Sequence, residues 1–142
     1  KNYYLIGWNE NGNPFAHPID SPARSRKAME TIDGGVRRAL CAIWECDDDD
    51  LKWIVRNGDV AFVPDHLPVD ASPVDETPVI REHHVLKAKI LFKSGSTYFV
   101  KGQATISHTK RQHPTAKVKH GVHRVAVGRH FAEWNFSAAT ID

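Results

Sequence analysis

Apolar and polar residues alternate along much of this chain with the two-residue period of a β-strand, most regularly in its second half. In Val85–Phe92, Leu86, Ala88, Ile90 and Phe92 share one face while Lys87 and Lys89 take the other, which predicts a strand with one wet side. Extending that period backwards places Glu82 and His84 on the apolar face. Ser94-Gly95-Ser96 predicts a turn into a strand over Thr97–Lys101, and Gln103–His108 a further strand with Ala104, Ile106 and His108 in phase. Lys117–His120, a turn at Gly121 and Val122–Gly128 predict a hairpin in which His123, Val125 and Val127 share a face.

The first half mixes periods. Tyr3–Trp8 and Pro14–Ile19 read as two strands joined by Asn9–Asn13, whose Asn11-Gly12 pair is a hairpin turn signal. Ser21-Pro22 favours a short helix through Glu30, and Asp33 can cap a second. Val36, Leu40, Ile43 and Trp44 follow the spacing of an amphipathic helix, which the run Asp47–Asp50 is expected to end as a solvated loop. Leu51–Arg56 fits either a helical turn or a strand, and Gly58–Pro64 a turn followed by a strand of the main sheet.

Together these elements predict an α+β protein: an N-terminal β-hairpin with one or two helices, then a mostly antiparallel small β-barrel or sandwich. At 142 residues with 41% hydrophobic and 25% charged, the chain suits an ordinary globular core. No apolar run approaches the roughly 20 residues a membrane span needs. Lys1–Ile6 has no long apolar segment and no small-residue cleavage site, so no signal peptide is expected. Cys41 and Cys46 are read as inert thiols, which suits a cytoplasmic location.

Charge divides the chain. Residues 1–78 hold 8 Lys/Arg and 14 Asp/Glu, net −6, whereas residues 79–142 hold 11 and 3, net +8. Between the halves lies a proline-rich stretch. The expected organisation is therefore an α+β lobe over 1–63, a connection over 64–78 and a basic, histidine-rich β lobe over 79–142, or one continuous domain.

Seven of the nine histidines fall in that last part, and imidazole is both a common metal ligand and a side chain that titrates near neutrality. Glu82 and His84 offer two ligands from one strand, His108 a third from another and His113 a fourth from the loop Thr109–Thr115. A carboxylate with two or three imidazoles suits zinc, iron, manganese or nickel. If the protein is an enzyme, these same four residues are its candidate catalytic groups. His120, His123 and His130 stand beside cations or near them and read as surface residues of a basic face.

Gly58-Asp59-Val60-Ala61-Phe62-Val63-Pro64, Glu82-His83-His84-Val85-Leu86, Ala104–His108 with His113, and Gly121–Val125 resemble a family of small uncharacterised phage, plasmid and bacterial proteins. The resemblance covers about residues 55–131. That family shows a Gly-His-x-His strand, a later Thr-His with another histidine soon after, and a Pro-Gly-x-Tyr hairpin. Here Glu82 stands where the first imidazole would be and His123 where the tyrosine would be, while His108 and His113 match. The resemblance implies site positions and says nothing of a substrate.

Three functions compete. One is a metal-binding barrel protein acting as a metal-dependent or histidine-based hydrolase on a phosphate-containing substrate, with Lys110 or Arg111 stabilising phosphate charge. Another is a nucleic-acid or polyanion-binding module using Lys101, Lys110, Arg111, Lys117, Lys119, Arg124 and Arg129, with Tyr98 or Phe99 for stacking. The last is a phage-type structural or interaction protein, in which opposite charges favour a homo-oligomer.

Overall fold

A computed structural model of the chain describes residues 3–8, 12, 14–19 and 32–128. The expected helix over 21–30, most of the loop 9–13, and Arg129 and His130 lie outside them. The chain divides into two compact units, with the boundary after Leu51. Among the described residues no helix is long and apolar enough to cross a membrane.

In the first unit, β1 (Tyr3–Trp8) pairs antiparallel with β2 (Pro14–Ile19), as the alternation predicts. Helix α1 (Ile32–Trp44) packs against this hairpin and buries Ala39, Cys41 and Trp44. It ends at Glu45, which takes a φ of 52° while the Cys46 amide reaches back to the Cys41 carbonyl at 3.1 Å. That is a Schellman cap, closing the helix two residues before the aspartate run. The aspartates instead open a 3-10 helix over Asp48–Trp53. Arg37 grips Asp48 through two 2.8 Å bonds, which hold its carboxyl below the usual range. Both cysteines are free, and burial pushes the Cys41 thiol up, in keeping with an unreactive role.

The second unit is almost entirely β. Its strands are β3 (Val55–Asn57), β4 (Val60–Pro64), β5 (Ser72–Pro73), β6 (Val79–Ile80), β7 (His84–Ala88), β8 (Leu91–Ser94), β9 (Thr97–Lys101), β10 (Ala104–His108), β11 (Ala116–Val118) and β12 (Val122–Val127). They form a four-stranded sheet, β11-β10-β7-β6, and a six-stranded sheet, β3-β4-β12-β9-β8-β5, with antiparallel pairing throughout. Leu86, Ala104, Ile106, Ala116 and Val118 from the smaller sheet join Val60, Phe62, Leu91, Val100 and Val125 from the larger in one hydrophobic cluster. Burial of apolar area at about 25 cal/mol per Å² makes that cluster the main source of stability.

Three expectations are corrected here. The run Val85–Phe92 is two strands: the chain bends at Lys89–Ile90, leaving Ile90 42% exposed and Leu91 buried. β9 and β10 part at Gly102–Gln103, and the Lys89 amide bonds to the Gln103 carbonyl while the Lys101 amide bonds to that of Ile90. One long hairpin therefore folds over at a shared corner and supplies a pair of strands to each sheet. Gly102 takes a φ of 78° at that corner, a conformation that suits glycine.

β11 and β12 likewise do not form the expected hairpin, because β11 pairs with β10 in one sheet and β12 with β4 and β9 in the other. Neither sheet closes into a barrel among the described residues. Where β3 approaches β10 and β11, the link is a side chain and not a backbone ladder: Asn57 Nδ2 donates to the Pro114 carbonyl at 2.7 Å.

The proline-rich stretch is no boundary either. Asp65, Val74 and Leu86 amides bond to the carbonyls of Val122, Leu91 and Pro78, so residues 64–78 are stitched into both sheets. β4, assigned to the N-terminal lobe by sequence, pairs along its whole length with β12. The ion pairs Arg81–Asp59 and Arg124–Asp65 join the acidic and basic halves within this one unit.

Ile106 is fully buried in the shared cluster, whereas Val79 is 55% exposed. Urea unfolding is expected to show Ile106→Ala lowering stability by about 2–5 kcal/mol and Val79→Ala by less than about 0.5 kcal/mol.

Candidate functional site

The site is assembled at one end of the four-stranded sheet from the starts and ends of its strands. Ile80 pairs with His84, so Arg81, Glu82 and His83 form the loop between β6 and β7. Arg81 and Glu82 reverse the chain there with φ values of 51° and 67°. Glu82 consequently sits exposed in the loop and does not share the face of His84, which corrects its assignment as a partner ligand. The strand period stops at the turn, and alternation cannot be extended across it.

His84 opens β7 and His108 ends β10, and the two are direct cross-strand partners. Both are buried, at 5% and 8% exposure. Their ring centres lie 5.0 Å apart with planes near perpendicular. Beyond β10 the chain turns at Thr109–Lys110 and returns through a loop that brings the His113 ring centre within 5.3 Å of His108. His83 lies 5.5 Å from His108 on another side, its Nδ1 3.1 Å from the Thr109 hydroxyl. Thus His84, His108 and His113, chosen from sequence, do converge, and His83 joins them.

The larger sheet supplies the opposing wall. Gly58 and Asp59 form the two-residue turn between β3 and β4, with Gly58 at a φ of 61°. A Cβ added to Gly58 would stand 2.8 Å from both Cδ2 and Nε2 of His113 and 3.3 Å from Nε2 of His84. Glycine is needed for its dihedral and equally for this close approach. Asp59 places Oδ1 3.4 Å from His84 Nε2 and Oδ2 3.3 Å from Arg81 Nε. Asn57, fully buried, anchors the His113 loop through the Pro114 carbonyl described above.

Hydrogen bonds decide which nitrogens carry protons. A carbonyl only accepts, so the 3.2 Å contact between His84 Nδ1 and the Ile80 carbonyl puts the hydrogen on Nδ1. In the neutral ring His84 Nε2 then holds a lone pair, and that atom is buried with no hydrogen bond. His108 is the reverse. Its Nδ1 accepts from the Lys110 amide at 3.1 Å, leaving the hydrogen on Nε2. Burial, followed by the neighbouring His84, His113, His83 and Lys110, pushes His108 below the usual histidine range. Sheet pairing thus yields two adjacent imidazoles of opposite hydrogen-bonding sense.

No group of three His, Cys, Asp or Glu side chains among the described residues stands closely enough together to hold an ion in this arrangement. Comparison of the chain with protein-family models, curated proteins and solved structures finds no match. The chemistry of the site therefore has to be read from its own atoms.

The remaining candidates scatter. Lys101, Lys110, Arg111, Lys117 and Lys119 are exposed, whereas Arg124 is engaged by Asp65 at 3.1 Å. His120 is exposed, as expected. His123 is not a surface residue of the basic face: it packs edge-on against Phe62, its Nδ1 is buried without a hydrogen bond, and burial lowers its pKa. Sequence reasoning missed Asn57 and Asp59, although Asn57-Gly58-Asp59 was visible as a turn.

Two outcomes are expected. Gly58→Ala forces a side chain against His113 and His84 at a left-handed φ, lowering stability by about 1–3 kcal/mol in chemical unfolding. For His123, a lowered native pKa means the folded state favours the neutral ring. Its contribution is full above about pH 6.5 and is lost as pH falls through the lower native value. Urea midpoints should fall on acidification in that window, and His123→Leu should lessen the fall.

Proposed function

We propose that the protein is a two-sheet sandwich that binds a divalent transition metal where the β3–β4 turn meets the histidine cluster, through His84 Nε2, His113 and Asp59. The observation that carries this reading is His84 Nε2, buried without a hydrogen bond and 3.4 Å from Asp59 Oδ1. Leaving such a nitrogen without a partner costs about 1–3 kcal/mol, and coordination removes that cost. Its other nitrogen donates to a backbone carbonyl, the arrangement that fixes the tautomer of metal-ligating histidines.

Convergence supports the same reading. A Cβ on Gly58 would stand 2.8 Å from His113 Nε2 and 3.3 Å from His84 Nε2, so both ligand nitrogens border one point. Asp59 faces both His84 and Arg81, and a cation beside His84 would draw its carboxylate away from the guanidinium. His108 is then a neighbour and not a ligand, since its Nε2 carries a hydrogen.

A set of three protein ligands leaves a position for water, whose pKa a divalent ion lowers toward neutrality. His108 Nε2–H would be a donor among the same rings, and the exposed Lys110 and Arg111 follow it in the loop. This constellation suits hydrolysis of a phosphate ester. A bound ion would supply an activated water whose oxygen would bond to phosphorus as the P–O ester bond breaks, the proton given up by the water going to the departing oxygen, while Lys110 and Arg111 would offset phosphate charge.

Tag-free protein titrated with zinc, manganese and nickel is expected to bind one ion per chain, with thermal stability rising by about 2.7 kcal/mol at a hundredfold excess over Kd. His84→Ala should abolish binding, and His113→Ala and Asp59→Asn should each weaken it about tenfold or more. Absence of uptake by the native protein, or unchanged binding by His84→Ala, would overturn the assignment. Failure of the loaded protein to cleave a bis(nitrophenyl) phosphate would remove the hydrolase reading alone.

A further inference from the structure

The outer face of the four-stranded sheet, away from the histidines and the core, carries its own chemistry. Buried Leu86, Ala104, Ile106, Ala116 and Val118 fix which side chains point outward. In the ladder, Thr105 of β10 pairs with Lys87 of β7 on one side and Lys117 of β11 on the other. Both lysines are exposed. β7 and β11 run in the same direction, so Lys89 and Lys119, also exposed, lie two residues further on at the same end. Strand spacing puts the Cα atoms of Lys87 and Lys117 roughly 10 Å apart, with Lys89 and Lys119 just past the ends of their strands.

Among the described residues, the strands that carry the patch supply no acid of their own on β7, β10 or β11. Residues 83–128 contain nine Lys and Arg and not one Asp or Glu. The acids of the second unit that have identified partners are engaged elsewhere: Asp59 with Arg81, Asp65 with Arg124, Asp70 with Ser94 and Glu76 with Tyr98. Thr105 and Ser107 add hydroxyl donors along the middle strand. Four like charges held this close repel one another, and a polyanion relieves that repulsion while releasing its own counterions.

We infer that this sheet face binds the phosphate backbone of duplex nucleic acid, without reading its sequence. Duplex is favoured over single strand because single-strand platforms stack bases on aromatic side chains. None of the four strands of this sheet carries a Phe, Tyr or Trp among the described residues: Phe99 is buried, and the Tyr98 hydroxyl donates to Glu76 at 2.6 Å in the other sheet. A lipid surface is disfavoured because only Val79 and Val85 supply apolar area here, with no helix to insert. Compared with the basic set expected from sequence, the face keeps Lys117 and Lys119, adds Lys87 and Lys89, and leaves out Lys101, Lys110, Arg111 and Arg124, while Arg129 lies outside the described residues.

Fluorescence anisotropy with a short mixed-sequence DNA duplex, in chelator so that the metal reading plays no part, tests this. Binding should weaken steeply as salt rises from about 50 to about 200 mM, each phosphate contact adding about 0.9 to the log–log slope. The double variant Lys87→Gln, Lys117→Gln should lose about 1.8 of that slope and bind at least about tenfold more weakly at low salt. A control of equal charge, Lys52→Gln with Lys93→Gln, should bind as the native protein does. No duplex binding at low salt, equal weakening by the control, or tighter binding of single strands or anionic vesicles than of duplex would each overturn the inference.

Discussion

His84 and His108 face each other because β7 and β10 are held in one register by the residues further along both strands. Leu86 lies opposite Ile106 and Ala88 opposite Ala104, and burial of these pairs fixes the alignment. A slip by one residue would turn every one of them to solvent. The apolar pairs supply the stability, and the imidazoles at the strand ends are carried into contact by it. Polar groups buried in this way must find partners or bear a cost, which makes the end of the sheet a place of chemical demand.

That demand is met unevenly. Three of the four ring nitrogens whose surroundings are known in detail in His83, His84 and His108 have hydrogen-bond partners from the backbone or Thr109, and the exception is His84 Nε2. It looks across at the β3–β4 turn of the larger sheet, whose first residue, Gly58, has no side chain. The Gly58 backbone can therefore approach both His84 and His113, and Asp59 follows immediately with a carboxylate. Two sheets contribute to one site, and the Asn57 clamp on Pro114 keeps the intervening loop in place.

The two faces of the smaller sheet divide the work by simple alternation. Inward positions build the core and end in histidines; outward positions carry Lys87, Thr105 and Lys117 in one transverse row. The same registry thus sets a buried imidazole cluster on one side and a cationic lattice on the other. Within the cluster, burial and then the neighbouring His84, His113, His83 and Lys110 disfavour protonation of His108.

Local signals in the sequence determined the hairpin at the N-terminus, the amphipathic helix now seen over Ile32–Trp44, the inward phase of Ala104, Ile106 and His108, and the choice of His84, His108 and His113 as residues to follow. Periodicity and turn chemistry act over a few residues, and these features depend on nothing further. Tertiary structure alone decided that Val85–Phe92 bends between sheets, that β11 and β12 part company, and that residues 64–78 belong to the sheets they were expected to separate. It alone placed Glu82 in an exposed turn and Asp59 beside His84, because a turn resets the strand phase and because Asp59 and His84, 25 positions apart, meet only through packing. The physical reason is range: alternation states which side of a strand is buried, while the partner across the core is chosen by how the whole set of strands fills it.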